Sequence, residues 1–274
     1  MTAHRVRTGD GVELHVIDEG RGRPLLFVPG FAQAASCFAR QAADLSDGFR
    51  VVRADPRGHG SSAKPGHGYR VGRMAADLDD VVRTLGLDDI VLVAHSMGCA
   101  IAWAYLEQIP SAPVSALVIV DRPPVLTGPA GSGAVFGTDE VYALAAALRS
   151  PTGRDVLAGF IRGMFSPGVP ESDIAALIED SLRLPPDLAA ELYLNTRFGS
   201  WEDFLPRVSV PTLVISGEAS TIPVEAMKHT AELVPGARLE VFGAAEGGSH
   251  FMFWENPARF NRLIRDFAGL KGPF

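Results

Sequence analysis

Three short segments carry residues able to do chemistry. The run VLVAHSMGCAIAWAYL (91–106) sets Ser96 between an apolar strand-like stretch and a helix-like one, with Ala94 and Gly98 two positions to either side. A strand that turns sharply into a helix needs small residues at those points, and the turn holds the serine Oγ exposed in a strained conformation. The next N–H, that of Met97, lies at a helix N-terminus, where it can stabilise negative charge. The bland alternative is a serine capping a helix. The segment GGSHFMFWENP (247–257) places His250 after two glycines, just before the last helical pattern. Glycine lets the backbone set an imidazole over a neighbouring site. There it can take a proton from a serine and return it to a leaving group; otherwise it is a surface loop histidine. In FVPGFAQ (27–33), the Phe31 N–H could join that of Met97 to hold a developing oxyanion. Taken alone, Pro29-Gly30 reads as an ordinary tight turn.

A histidine base needs an anionic partner to fix its tautomer and stabilise its charged form. The segment PTLVISGEASTIP (211–223) offers Glu218, Ser220 and Thr221 but no aspartate. Asp121 closes the strand-like run ALVIVD (116–121), and strand ends of a parallel sheet cluster along one edge. Asp121 also gives the chain order serine, acid, histidine, one of the orders such sites use. It is the favoured acid. Glu218 is the second candidate, and a site with no functional acid is the third. If Asp121 is not the acid, it caps the loop before Arg122-Pro123-Pro124. Asp79 and Asp80 fall on a helix and are expected to be solvated.

The elements that would position these residues alternate. Strand patterns appear at 11–20, 25–29, 50–55, 90–95, 116–121, 212–217 and 238–243. Helical patterns appear at 72–87, 97–110 and 256–270, the last opened by Asn256 as N-cap with Pro257 in the first turn. This alternation predicts an α/β fold, a mostly parallel twisted sheet with helices on both faces. It breaks between 124 and 206. A Gly/Pro/Ser-rich linker, PPVLTGPAGSGAVFGTD, is followed there by the helical stretches EVYALAAALRS, GRDVLAGFIRGMF and ESDIAALIEDSLRL. The expected organisation is a core of 1–123 and 207–274 with a helical cap, 124–206, over the C-terminal edge of the sheet.

With VPGF at 28–31, ADPRGHGSS at 54–62, AHSMG at 94–98, VPTLVISGE at 210–218 and GGSHFMFWENP at 247–257, the chain resembles the α/β-hydrolase family over nearly its full length. The resemblance implies Ser96 as nucleophile, His250 as base, and the N–H groups of Phe31 and Met97 as oxyanion donors. It implies mainly structural roles for Asp55, Arg57 and His59. Two departures stand out. Pro29 occupies a position where the family commonly has histidine. Ser220 stands where the family usually has its acid, three residues after the glycine that ends the strand. Some members, including certain lactone hydrolases, haloalkane dehalogenases and cofactor-free dioxygenases, instead carry the acid after the strand that Asp121 ends.

Composition narrows the function. The chain has 274 residues, 47% hydrophobic and 21% charged, with a net charge of −7 from 25 basic and 32 acidic side chains. That suits a globular enzyme with a small-molecule substrate and argues against nucleic-acid binding. No apolar run approaches the about 20 residues needed to span a bilayer, and no secretory h-region is visible, so no membrane partner and a cytoplasmic location are expected. Cys37 and Cys99 sit among small and apolar residues and read as buried reduced thiols. No His/Asp cluster has metal-ligand spacing, so no metal or cofactor is expected.

The expected reaction is cleavage of an ester, lactone or thioester through an acyl-serine. The cap stretch is rich in aromatics, including Phe136, Tyr142, Phe160, Phe165, Tyr193, Phe198 and Trp201. Most are expected to form the cap's own core, and those facing the pocket predict a mainly apolar substrate. Arg122 either meets a substrate carboxylate or forms a surface ion pair. Two other readings are cofactor-free dioxygenation of a 3-hydroxy-4-quinolone-like heterocycle by a His250/Asp121 dyad, and a non-catalytic small-molecule receptor.

Overall fold

Continuous apolar runs make the middle of one eight-stranded sheet in the computed structural model, which describes residues 1–129 and 134–269. Residues 130–133 of the Gly/Pro/Ser linker, and Leu270 at the end of the last helical pattern, lie outside the described residues. The strands are β1 (Thr2–Arg7), β2 (Glu13–Gly20), β3 (Pro24–Val28), β4 (Arg50–Ala54), β5 (Ile90–His95) and β6 (Val114–Val120). After a two-stranded pair, β7 (Thr127–Gly128) and β8 (Phe136–Gly137), the sheet is completed by β9 (Thr212–Gly217) and β10 (Arg238–Phe242). The order is β1-β2-β4-β3-β5-β6-β9-β10. The β1–β2 and β2–β4 pairings are antiparallel, and the other pairings of this sheet are parallel. Every residue of β3, β5 and β9 is buried, as expected for parallel strands covered on both faces.

The first strand, β1, is a correction to the expected pattern. Its exposed edge position leaves only Val6 fully buried, so no apolar alternation marks it.

The helices that join the strands are α1 (Ala39–Leu45), α2 (Val71–Thr84) and α3 (Met97–Gln108). The chain then runs through α4 (Thr138–Leu148), α5 (Gly153–Arg162), α6 (Glu171–Ser181) and α7 (Pro186–Arg197). It returns to the sheet and adds α8 (Val224–Leu233), α9 (Met252–Glu255) and α10 (Pro257–Gly269). The side-chain oxygen of Asn256 accepts the Arg259 N–H at 3.2 Å, the expected cap on α10. Helix α7 belongs to the stretch where three helical patterns were read and a fourth was not. Its start is set by Pro185-Pro186.

The crossovers change direction once. The chain steps from β3 to β4 one way and from β4 past β3 to β5 the other. Right-handed crossovers therefore place α1 on one face of the sheet and α2, α3 and α8 on the other. Helix α10 packs on α1 and α2 packs on α3. The point of reversal lies between β3 and β5, and in open α/β sheets a ligand crevice forms beyond the strand ends at such a point.

The segment ADPRGHGSS braces this core. Arg57 is fully buried between Asp77, at 2.6 Å, and Asp10, at 3.0 Å. Asp55 accepts N–H bonds from Ala35 and Ser61. Asp80, expected to be solvated, accepts the Gly9 N–H at 2.8 Å. Cys37 and Cys99 are buried free thiols. Among the described residues, no helix is long and apolar enough to cross a membrane.

Candidate active site

Ser96 sits where β5 turns into α3, with φ 52° and ψ −119°. A non-glycine residue held there costs about 1–3 kcal/mol. The surrounding backbone leaves little alternative. A Cβ on Gly98 would lie 2.3 Å from the Val28 carbonyl oxygen, so only glycine lets α3 start this close to the end of β3. A Cβ on Gly30 would lie 2.8 Å from His95 Nδ1 and 3.2 Å from Ser96 Cβ. Ala94, in the position where glycine is usual for this turn, is fully buried in β5.

Ser96 and His250 line one cavity of about 250 Å³ beyond the strand ends at the point of reversal. His250 is 5% exposed, and its Nδ1 donates to Asp121 Oδ2 at 2.6 Å. Asp121 follows β6 with φ 54° and is fully buried. Its backbone N–H donates to the Ile215 carbonyl of β9 at 2.9 Å, which anchors the turn. Ser220 donates its hydroxyl to the same Asp121 Oδ2. Glu218 is exposed, and its side chain accepts the Ala244 N–H at 3.1 Å rather than meeting His250. Of the candidate carboxylates, then, the fold brings Asp121 to the histidine and leaves Glu218 outside.

Burial pushes the Asp121 carboxyl upward, while the Ser220 hydroxyl and the Gly217 N–H favour its charged form. Burial also lowers the His250 imidazole, and the guanidiniums of Arg197 and Arg122 add to that. The ring is therefore neutral near pH 7. With Nδ1–H committed to Asp121, the lone pair is on Nε2, free to accept a proton.

Two contacts here left no mark in the sequence patterns. His95 Nε2–H donates to the His250 carbonyl at 3.0 Å, with ring centroids 4.5 Å apart, so the residue before the serine holds the histidine's backbone. Gln33 Nε2 donates to Ser181 Oγ at 2.9 Å and ties the loop after β3 to α6.

Phe31 lines the cavity, and its ring meets Phe160 and Tyr193 edge-on at 5.8 and 5.4 Å. Met97 is the first residue of α3, so its N–H is among those without a carbonyl partner inside the helix. From the aromatic-rich stretch, Phe136, Phe160 and Met164 reach the cavity. Tyr142 and Phe198 pack against each other with tilted rings at the surface. The surface ion pair considered for Arg122 does not form: the side chain is 4% exposed and faces the cavity.

A family model described as alpha/beta hydrolase fold matches residues 23–257, and the chain belongs to that family. A non-heme haloperoxidase from Rhodococcus erythropolis is 32% identical, covering 96% of this chain and 98% of that one. The non-heme chloroperoxidase CPO-A1 of Kitasatospora aureofaciens is 30% identical, covering 95% and 97%. An esterase of known structure from Exiguobacterium antarcticum superposes with a TM-score of 0.91 at 28% identity, covering 98% of this chain and all of that one. Family and relatives support hydrolase activity.

Proposed function

We propose that this chain is a serine hydrolase that cleaves an ester, lactone or thioester of a small, mainly apolar molecule through an acyl-serine intermediate. The observation that carries it is Ser96 on a strained turn, lining one cavity with a His250 whose Nδ1 donates to buried Asp121. His250 Nε2 takes the Ser96 proton as Oγ attacks the carbonyl carbon. Asp121 stabilises the imidazolium and keeps the tautomer. The N–H groups of Met97 and Phe31 receive the oxyanion. The imidazolium protonates the leaving oxygen or sulfur, and water, deprotonated by His250, releases the acid. Residues 124–206 act as the cap: the Trp201 N–H donates to the Pro124 carbonyl at 3.2 Å, which closes the segment on itself. Phe136 and Phe160 supply an apolar wall.

A fluorophosphonate probe tests the nucleophile, with Ser96→Ala and His250→Ala as controls beside a screen of short and long acyl esters. Labelling at Ser96 with ester turnover is expected. No labelling and no turnover would sink the hydrolase assignment and send the search to O2 uptake with 3-hydroxy-4-quinolones. Because relatives bear the name haloperoxidase, hydrogen peroxide belongs in the screen as a second acyl acceptor. It would convert the acyl-serine to a peracid and free serine.

A further inference from the structure

Among the described residues, two guanidiniums face the cavity without an ion-paired carboxylate to balance them. Arg122 follows Asp121 at the end of β6, and Arg197 is the last residue of α7. They are 4% and 8% exposed, and both line the cavity. Arg122 donates to the Thr196 carbonyl at 2.7 Å through Nη2, while its buried Nε has no hydrogen-bond partner among the described residues. The Arg197 guanidinium lies over the rings of Phe136 and Tyr193, at 4.7 and 4.4 Å. Asp121 bonds His250 and Ser220 through Oδ2; its buried Oδ1 has no hydrogen-bond partner among the described residues, so Asp121 hydrogen-bonds neither guanidinium there.

Burying a guanidinium without an anion is costly, and two close together cost more because each disfavours the other's charge. The stacking of Arg197 on two rings offsets part of this. Among the described residues, the other buried arginines are paired with carboxylates: Arg57 with Asp77 and Asp10, and Arg53 with Glu19. Arg122 and Arg197 break that habit where a ligand would enter.

We propose that Arg122 and Arg197 bind a carboxylate on the substrate, so that the preferred substrate is a small ester or lactone with a free carboxylate on an otherwise apolar skeleton. The inference rests on the hydrolase assignment above. A guanidinium fork matches a carboxylate in geometry as well as charge, and Phe31, Phe160 and Met164 face the rest of the cavity. The contact has a second effect. Both guanidiniums weigh against the His250 imidazolium, and a bound carboxylate cancels that. Anionic substrates should therefore gain in kcat as well as in KM.

The test uses the monomethyl and dimethyl esters of succinate, glutarate and adipate. Calorimetry on the Ser96→Ala variant should find at least one monoacid bound about tenfold or more tighter than its diester. Arg197→Gln in that background should remove the preference. No preference at any chain length overturns the carboxylate site, and this comparison does not depend on the arginine variant folding. Turnover by the unmodified protein is scored separately. Preference in binding with no hydrolysis of any ester keeps the site and removes the hydrolase assignment. Hydrolysis of both esters with equal affinity does the reverse.

Discussion

Ser220 donates its hydroxyl to Asp121 Oδ2, the oxygen that also accepts His250 Nδ1–H. The residue standing where the family usually has its acid thus bonds the carboxylate proposed as the acid here. The two loops, after β6 and after β9, meet at one carboxylate oxygen because their strands are neighbours in the sheet.

Asp121→Asn should reduce kcat on an ester substrate by about 10^3–10^4-fold, because the amide cannot hold the histidine tautomer or its charge. Circular dichroism should show the fold retained. Glu218→Gln, on an exposed side chain, should change turnover by less than about twofold. Steady-state kinetics on the pair decides between the two acids, and reversed results would reject Asp121.

Ser220→Ala removes a hydrogen bond to a buried carboxylate, a change worth about 1–3 kcal/mol. Its denaturation midpoint should fall, and its kcat should drop by less than that of Asp121→Asn. The double variant Asp121→Asn/Ser220→Asp moves the acid to the neighbouring loop. It should recover at least about tenfold of the activity lost in Asp121→Asn, given how close Ser220 lies to that oxygen. No recovery would mean that the second loop cannot present a carboxylate to His250.

Stability should fall as the solution is acidified. Burial pushes His59 down to about 4 from an ordinary 6.5 and holds His95 well below its ordinary value. A neutral buried histidine contributes stability that is whole above the unfolded pKa and is lost as pH falls below it, since the unfolded chain then binds the extra proton. Each contributes a slope of up to about 1.4 kcal/mol per pH unit in that window. Denaturant midpoints measured from pH 7 to pH 4.5 should show it, and His59→Gln should flatten the slope. The acid limb of kcat/KM should lie below pH 6.5, because burial lowers His250 as well.

Gly98→Ala sets a Cβ against the Val28 carbonyl oxygen, 2.3 Å away before any relaxation. Backbone must move, and overpacking of this kind costs about 1–3 kcal/mol. A lower melting temperature together with reduced fluorophosphonate labelling at Ser96 is expected. Unchanged labelling would show that the turn tolerates a methyl group.

Much of this was legible along the chain because it is local. The parallel strands declare themselves as continuous apolar runs, since both of their faces are buried. Ser96 and His250 stand out because a sharp strand-to-helix turn and a glycine-rich loop each need particular neighbours within a few residues. The edge strand β1 stayed hidden because one buried valine makes no pattern.

Contacts across the sheet were another matter. Asp121, Glu218 and the absence of an acid were all compatible with the sequence, because the partner of His250 depends on which strand ends lie side by side. The same holds for Arg122 and Arg197, which are 75 positions apart and meet only because α7 returns over the end of β6. Short-range patterning sets which elements form and where the serine and histidine fall. Burial and strand order decide which charges find a partner and which are left facing the cavity.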